Sequence, residues 1–407
     1  MVSVEGALAI VLETTPLLPA EEVTLDAALG RVLAEDVATD VDLPPFDRSA
    51  MDGFALRAED VAAAPVSLEV VGMLPAGRSH PSPLGPGQAL QIMTGAPVPE
   101  GADAVQQVER TRTPEAGRVE VLVAVAAGAN VARRGSEVRA GDVVLRAGVS
   151  IDPATVSVLA SVGKARVRVG GRPRLAALVT GDELVDAAQR PGPAGIRDSN
   201  GPAVLAQARC AGAEATWLGR VGDDASAIEA ALAAGLRCDV LVVSGGVSAG
   251  AFDLVEAAFA RLGVEVLFDR IALKPGAPMV FGRRGATLVF GLPGNPVSAQ
   301  VTFDLYVRSA LRRMQGARVV TRPCVEVELL GPLRNRSGRQ AHLPARVRSA
   351  DGRLVAEPIR SLGSADVVAH ARANALLVMA ADRAEALAGE RVPARLLGNF
   401  LERDGAA

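Results

Sequence analysis

Three acidic residues lie in short turn-like stretches whose composition suits metal and phosphate chemistry. Glu183 ends the stretch TGDE, Asp223 lies in GDD, and Asp253 ends SGGVSAGAFD. Magnesium takes carboxylate and phosphate oxygens together as ligands. The three acids therefore predict a magnesium site beside a phosphate group, although Asp223 is equally well placed to cap a helix.

Two glycine turns follow apolar runs of the chain. Because glycine has no side chain, these turns let backbone N–H groups approach an anion closely. The positive end of the following helix adds to the attraction. A single turn of this kind is more often only a tight turn, but two of them favour phosphate binding. The residues concerned are Ser244, Gly245, Gly246, Pro293, Gly294 and Asn295.

Lysine is scarce, because only Lys164 and Lys274 occur among 43 basic residues. Lys274 precedes Pro275 and Gly276, a stiff turn that fixes the direction of the ammonium group. Arg270 lies four residues earlier, so both side chains would project from the same face of an extended strand. The pair predicts an oxyanion site. A solvated surface lysine is the ordinary alternative.

These residues lie where strand-like and helix-like segments alternate, between Arg174 and about Gln315. The apolar runs RLAALV, EATWLGRV, DVLVV and TLVFGL each lead into a loop and then a helix. This alternation predicts a parallel sheet covered by helices on both faces. Ligands of such sheets bind beyond the carboxyl ends of the strands, so the fold would gather these loops at one edge.

The flanking segments have other patterns. Apolar spacing predicts helices over residues 3–14 and 23–36, and a third helix beginning at Asp152-Pro153. Short β-runs among prolines and glycines extend to about Glu137, and β-like runs return after Gly316. A small barrel or sandwich is expected there. The predicted fold class is therefore mixed α/β and multidomain.

Composition narrows the class of protein. A net charge of −3 over 407 residues excludes a surface that is basic throughout, so no nucleic-acid partner is expected. Apolar stretches are shorter than the ~18 residues of a membrane span, and no leader-like segment opens the chain, so no membrane partner is expected. Three scattered cysteines and three scattered histidines argue against a thiolate or histidine metal site. We expect a soluble cytoplasmic protein.

Seven motifs occur in an order that is typical of one family. They are PPFDRSAMDGFA, MTGAPVPEGADAV, TGDEL, IRDSNG, SGGVSAGAFD, LKPGAPMVFG and GLPGNPVSA. In these motifs the chain resembles, over essentially its whole length, the molybdopterin molybdenumtransferases, which are the MoeA-type proteins and the related E domain of gephyrin. The resemblance implies an enzyme that takes adenylylated molybdopterin and molybdate. With Mg²⁺ it inserts molybdenum into the dithiolene and releases AMP.

The resemblance also implies four domains. They are an elongated helical domain (1–45 and 139–170), an inserted β-rich domain (46–138), a molybdopterin-binding doubly wound α/β domain (171–316) and a C-terminal β-barrel (317–407).

The same resemblance assigns further residues and partners. It implies a homodimer in which Asp52 and Thr94 reach the active site of the partner subunit, and it makes Arg346 and Ser364 molybdate-site candidates. A molybdopterin adenylyltransferase and downstream cofactor-handling proteins are the other implied partners.

The chain departs from the family pattern at Ala132, Ala251 and Ala277, where charged or polar residues are more common. Each departure removes charge from the implied oxyanion region. Either Arg270 and its neighbours compensate, or the efficiency or the preference between molybdate and tungstate has changed. Two other functions remain open: an adenylyltransferase acting on molybdopterin, and a non-catalytic scaffold of the same fold.

Overall fold

The computed structural model describes residues 1–245 and 252–398, with only the backbone of residues 252 and 253. Two compact units are present. The first contains Met1–Glu35, Ala147–Pro153 and the chain from Arg166 onward, and the second contains Asp36–Arg146 and Ala154–Ala165. Within these described ranges, none of the helices has the length and apolar character needed to cross a membrane.

The first unit begins with a helix that packs on its core. The N-terminal elements are α1 (Val4–Thr14), β1 (Glu21–Thr24) and α2 (Leu25–Ala28). Ser3 caps α1 by accepting a hydrogen bond from the backbone N–H of Gly6 at 3.0 Å. The helix buries Val4, Ala7 and Val11. The helix predicted over residues 3–14 is confirmed.

The helix predicted over residues 23–36 is wrong. Val23 belongs to β1, which runs antiparallel to the segment Arg166–Val169, and only the single turn of α2 follows it. Gly30 then has a φ of +78°, which ends the helical conformation. Val32 and Leu33 are buried in isolated β-bridges instead. Long-range pairing therefore buries the apolar residues whose spacing suggested a helix.

The second unit is rich in β-structure. The elements are β2 (Val37–Ala38), β3 (Arg48–Ser49), β4 (Gly53–Leu56), β5 (Val66–Leu74), β6 (Gln88–Ile92), β7 (Ala104–Gln107), β8 (Thr111–Arg112), β9 (Arg118–Val121), β10 (Val131–Ala132) and β11 (Val143–Leu145), with 3₁₀ turns at Ala58–Val61 and Val108–Arg110. The sheet of this unit has the strand order β7-β4-β6-β5-β9-β8, while β2 pairs with β11 and β3 with β10. A Cβ at Gly53 would lie 1.9 Å from the carbonyl oxygen of Gln106, so this strand position requires glycine.

A helix, α3 (Pro153–Ser161), follows β11. The prediction that a helix begins at Asp152-Pro153 is confirmed, because proline is tolerated in a first helical turn, where its missing N–H has no partner to lose.

The α/β domain continues the first unit. Its elements are β12 (Arg166–Val169), β13 (Arg174–Thr180), β14 (Leu184–Val185), β15 (Ile196–Arg197), α4 (Asn200–Cys210), β16 (Glu214–Val221), α5 (Ala225–Gly235), β17 (Val240–Ser244), α6 (Phe252–Arg261), β18 (Glu265–Arg270), β19 (Leu273–Lys274), β20 (Pro278–Arg284), β21 (Thr287–Leu292), α7 (Pro296–Thr302) and α8 (Arg308–Met314), with a π-helical segment over Phe303–Val307.

A six-stranded sheet in the order β16-β13-β17-β21-β20-β18 forms the centre of this domain. The four strands predicted from apolar runs are parallel, and β20 and β18 add an antiparallel edge. Leu175 and Ala177 face a core shared with α4, α7 and α8, whereas Ala176 and Leu178 face α5 and α6. Because the chain leaves β13 toward one edge and β17 toward the other, a crevice opens between their carboxyl ends.

The C-terminal part of the first unit is a closed barrel. The elements are β22 (Cys324–Leu329), β23 (Leu333–Arg334), β24 (Gln340–Ala350), β25 (Arg353–Pro358), α9 (Val367–Arg372), β26 (Ala375–Met379), β27 (Glu385–Ala386) and β28 (Arg391–Leu396). Strand β24 pairs with β25, β25 with β22, β22 with β28, β28 with β26, and β26 with β24 again. Strand β19 of the α/β domain adds to β24 in parallel.

Candidate active site

A cavity of about 1210 Å³ lies at the carboxyl edge of the α/β sheet and extends to the barrel. The loops after β13, β16, β17 and β21 all contribute to it, as the topology of a doubly wound sheet requires. Nine of the predicted site residues line this cavity. They are Glu183, Asp223, Gly245, Lys274, Pro275, Pro293, Gly294, Asn295 and Ser364.

The other predicted residues lie elsewhere. Arg270 and Arg346 are not among the residues that line the cavity. Gly246 and the side chain of Asp253 lie outside the described residues. Asp52 and Thr94 belong to the second unit.

The prediction that Arg270 and Lys274 share one strand is wrong. Arg270 ends β18, where it lies opposite Pro278, while Lys274 lies in β19 opposite Ala341 of the barrel. The backbone N–H of Ile271 donates to the carbonyl oxygen of Ala277 at 3.0 Å, so the chain reverses between these two residues and Lys274 lies within the turn. Sequence spacing alone did not reveal this turn.

Buried hydrogen bonds link three of the loops beneath the cavity. The side-chain amide of Asn200 donates to the Ser244 hydroxyl at 2.9 Å and to the carbonyl oxygen of Gly294 at 2.8 Å. The Ser244 hydroxyl donates to the carbonyl oxygen of Pro293 at 3.2 Å. Asn200 and Ser244 are both buried. The network fixes the two glycine turns relative to each other.

Gly245 allows the backbone of β17 to approach β13 closely. Its φ is +94°, and a Cβ at this position would lie 2.3 Å from the carbonyl oxygen of Thr180. Only glycine accommodates both the conformation and the contact. A Cβ at Gly294 would lie 3.6 Å from the Cα of Gly245, so the two glycine turns meet at the cavity floor.

The acidic rim of the cavity carries Glu183 and Asp223. The helix cap that was an alternative role for Asp223 belongs to Asp224, which accepts a hydrogen bond from the backbone N–H of Ala227 at 2.7 Å. Burial raises the pKa of Asp223, and the negative charges of Asp182 and Glu183 raise it further. Asp223 therefore does not cap the helix, and it lies close to the negative charges of Asp182 and Glu183.

This rim meets part of the requirement for a magnesium ion. In the described ranges no group of three or more His, Cys, Asp or Glu residues is arranged to hold a metal. Magnesium is commonly held by only one or two carboxylates together with substrate phosphates. Glu183 and Asp223 supply that kind of donor, and the mutual repulsion of the acids is what a cation would relieve.

Several residues that line the cavity were not singled out from the sequence. They are Arg197, Asp198, Asn200, Arg334, Arg339 and His342. The first three lie in the motif IRDSNG, which signalled the region but not the individual residues. The last three come from the barrel side, and no local pattern connects them with the α/β loops. Pairing of β19 with β24 brings them there.

His342 is the buried member of this group, with 1% of its surface exposed. Burial lowers its pKa to about 3, and the charge of Arg395 acts in the same direction. Its Nε2 lies 3.2 Å from the side-chain oxygen of Gln340. The imidazole is therefore neutral near pH 7 and adds no charge to the cavity.

In the second unit, Asp52 and Thr94 form one local structure. The Thr94 backbone N–H and hydroxyl both donate to Asp52 Oδ1, at 2.6 Å and 2.8 Å. These two bonds lower the pKa of Asp52, the backbone bond contributing more. Sequence separation of 42 residues gives no hint of this contact. Asp52 is thus held as a carboxylate.

The three departures from the family pattern fall in different places. Ala277 lines the cavity, Ala132 lies in β10 of the second unit, and Ala251 lies outside the described residues.

The fold and the cavity together indicate a class of protein. It is that of multidomain α/β enzymes, with a site at the carboxyl edge of a doubly wound sheet and a barrel on its other side. Three family models match the chain. They are the MoeA N-terminal region (domain I and II) over residues 2–163, a probable molybdopterin binding domain over residues 176–313, and the MoeA C-terminal region (domain IV) over residues 326–397.

Individual relatives and a solved structure indicate the same family. The molybdopterin molybdenumtransferase of Bacillus subtilis (strain 168) is 36% identical over 367 residues, covering 88% of this chain and 85% of that protein. Molybdopterin molybdenumtransferase 1 of Mycobacterium tuberculosis (strain ATCC 25618 / H37Rv) is 37% identical over 345 residues, covering 79% and 80%. The crystal structure of the molybdopterin biosynthesis moeA protein from Pyrococcus horikoshii OT3 superposes with a TM-score of 0.83 at 31% identity, covering 97% of this chain and 100% of that chain.

The chain belongs to the MoeA family of molybdopterin molybdenumtransferases. It is therefore a transferase of molybdenum cofactor biosynthesis. The resemblance found in the sequence motifs is confirmed, as are the α/β domain and the C-terminal barrel.

Proposed function

We propose that this protein takes adenylylated molybdopterin and molybdate, inserts molybdenum into the dithiolene, and releases AMP. The observation that supports this most is the cavity on which the two glycine turns of Gly245 and Gly294, two carboxylates and a lysine converge. A phosphate-bearing substrate and a second oxyanion need this combination, because fixed cationic groups offset their mutual repulsion.

Each group has a role in this proposal. Gly245 and Gly294 let the backbone approach the phosphates of the substrate. The turn Lys274-Pro275-Gly276 holds the ammonium group toward the oxyanion. Ser364, on the barrel side of the cavity, is a further candidate for contact with molybdate. The pterin brings its own dithiolene sulfurs, so the protein needs no thiolate ligand for molybdenum.

Glu183 and Asp223 would hold a magnesium ion in this proposal. An ion held there would supply positive charge that offsets the negative charge of the phosphoanhydride. The carboxylates themselves orient the phosphate group and keep it apart from the oxyanion near Lys274. Asp253 is a further candidate on the basis of its sequence position alone.

The assembly and the location are also proposals. We infer a homodimer in which the Asp52–Thr94 pair of one copy reaches the active site of the other, because the family resemblance implies it. A molybdopterin adenylyltransferase would supply the substrate, and downstream cofactor-handling proteins would receive the product. Cysteines 210, 238 and 324 are unpaired, which supports a cytoplasmic location. Sedimentation of the purified protein tests the dimer, since a monomer at working concentration would contradict it.

The test of function uses the unmodified protein with adenylylated molybdopterin, molybdate and magnesium. We expect AMP release that requires molybdate, together with a cofactor that activates an apo-molybdoenzyme. A parallel reaction with molybdopterin, ATP and magnesium tests the adenylyltransferase alternative. Adenylylation in that reaction, without insertion in the first, would contradict the proposal. Inactivity in both would favour a scaffold.

A further inference from the structure

Four cationic side chains line the described part of the cavity: Lys274, Arg197, Arg334 and Arg339. Two of the arginines are engaged with protein groups. Arg197 Nε donates to the carbonyl oxygen of Gln189 at 2.9 Å, and Arg334 Nε lies 2.9 Å from a carboxylate oxygen of Glu385. Much of the charge of Arg334 is therefore already offset.

Arg339 differs from Arg334 in its partners and from Arg197, which is exposed, in its burial. Its Nη1 donates to the carbonyl oxygen of Leu273 at 3.2 Å, and in the described ranges it forms no ion pair with a carboxylate. A guanidinium has five N–H donors in a fixed planar fork. Most of these donors, and the whole charge, therefore remain for another acceptor. Arg339 is also half-buried, which strengthens its interaction with an anion.

The contact with Leu273 places Arg339 beside Lys274. Leu273 lies opposite Gln340 in the β19–β24 pairing, and the backbone N–H of Gln340 donates to the carbonyl oxygen of Ala272 at 3.0 Å. Arg339 directly precedes Gln340, and Lys274 directly follows Leu273. In this parallel pair Lys274 lies opposite Ala341, two positions after Arg339, so the two cations, which come from different domains, are close neighbours without being directly opposite each other.

We propose that Arg339 is an oxyanion-binding residue, which together with Lys274 holds the tetrahedral molybdate in this cavity. The proposal rests on the function proposed above. It replaces Arg270 as the compensating cation, because Arg270 does not line the cavity. His342 is neutral and adds no charge, and Arg197 and Arg334 are exposed. The proposed dianion site therefore relies mainly on Lys274 and Arg339.

Arg346, which the family resemblance suggested, is in the wrong place for this role. It lies opposite Glu357 in the β24–β25 pairing, whereas β19 meets β24 at Gln340 and Ala341. Five residues of strand separate Ala341 from Arg346, or about 17 Å. If Arg339 binds molybdate, substitution of Arg339 weakens binding and substitution of Arg346 does not. If Arg346 binds molybdate, the reverse is expected.

The test measures molybdate binding to the full chain by titration calorimetry, at low ionic strength and without pterin. We expect Arg339→Met to weaken binding by about tenfold or more, as loss of a charge-assisted contact does. Arg339→Lys should lose less, because it keeps the charge but not the fork. Arg346→Met and the control Arg348→Met, an exposed arginine further along β24, should remain within about twofold of the unmodified protein.

Arg339→Gln tests whether weaker molybdate binding in Arg339→Met could come from a loss of folding. Glutamine is too short to keep the contact with Leu273, but it is polar and uncharged. A thermal midpoint that is unchanged while binding falls shows that the loss of binding is not a loss of folding. Unchanged binding in Arg339→Met, a loss in Arg346→Met instead, or no molybdate binding by the unmodified protein would each overturn the proposal. The insertion assay separates this result from the function: failure there with normal molybdate binding would contradict the function and leave Arg339 as an oxyanion site.

Discussion

The side-chain amide of Asn200 donates a hydrogen bond to the Ser244 hydroxyl at 2.9 Å, at the wall of the cavity. A second hydrogen bond, to the carbonyl oxygen of Gly294 at 2.8 Å, ties the helix that begins at Asn200 to both glycine turns. One buried side chain thus fixes three separate loops at the carboxyl edge of the sheet. The phosphate-binding geometry proposed for these turns depends on it.

Asn200→Asp should disrupt this arrangement. A carboxylate accepts hydrogen bonds but donates none when ionised, so both bonds are lost and a charge is buried. We expect the free energy of unfolding to fall by about 2–4 kcal/mol, as measured by urea denaturation. Ser244→Ala keeps the bond to Gly294 and should cost about 1 kcal/mol. Equal costs for the two variants would show that the second bond contributes nothing.

Gly245→Ala should be more damaging than alanine at an open glycine. The new Cβ would lie 2.3 Å from the Thr180 carbonyl oxygen, in a backbone with a φ of +94°. Gly263 also has a positive φ, +71°, but nothing lies within 4 Å of its added Cβ. We expect Gly263→Ala to cost about 1–2 kcal/mol from conformation alone, and Gly245→Ala clearly more. Similar thermal midpoints for the two variants would contradict the close approach of β17 to β13.

Lys274→Ala should abolish molybdate-dependent cofactor formation while the protein stays folded. The side chain lines the cavity, and in the described residues it has no carboxylate partner whose loss would destabilise the fold. We expect at least about a hundredfold loss in the insertion assay, which is typical for a group that offsets charge in a desolvated site. Lys164→Ala is the matched control, because it removes the other lysine. Full activity of Lys274→Ala would remove this residue from the site.

Glu183→Gln should weaken the dependence of AMP release on magnesium. The substitution keeps the size of the side chain but removes the negative charge that a hard cation prefers. We expect a higher magnesium concentration for half-maximal rate and about a tenfold lower rate at limiting magnesium. Glu229→Gln, which breaks only a surface pair with Arg261, is the control. An unchanged magnesium titration would mean that other groups hold the ion.

His342 should make the protein sensitive to acid. Its pKa is about 3 in the folded chain, against about 6.5 in an unfolded chain. Between these values the unfolded state binds more protons, so stability falls as pH drops below about 6.5. From pH 6.5 to pH 5 this contributes about 1.6 kcal/mol. His342→Leu should therefore lose less stability than the unmodified protein over this range, as measured by denaturation at both pH values. Parallel losses in the two proteins would show that His342 is not the group responsible.

Much of the α/β domain could be predicted from the sequence, because its signals are local. Each parallel strand is a continuous apolar run, and each run ends in glycine, proline or acidic residues. The rule that ligands bind at the carboxyl edge then placed Glu183, Asp223, Gly245 and Gly294 on one cavity. The order of seven motifs was specific enough to identify the family.

What sequence reasoning missed depends on distant contacts. Residues 23–36 have helical spacing, yet the partner strand Arg166–Val169 lies more than a hundred positions away. The separation of Arg270 from Lys274 follows from the pairing of β19 with the barrel, which no local pattern reveals. Arg339 was overlooked for the same reason. In a chain with 43 basic residues, an arginine gains significance only when its neighbours are known.

We propose that the cavity between the α/β crevice and the barrel holds the nucleotide phosphate and the metal oxyanion side by side. A crystal structure of the protein with AMP, magnesium and tungstate is the decisive measurement, since tungsten is located unambiguously by anomalous scattering. We expect a tungsten peak near Lys274 and Arg339, with the phosphate at Gly245 and Gly294. A tungsten site away from both cations, or AMP bound outside this cavity, would contradict it.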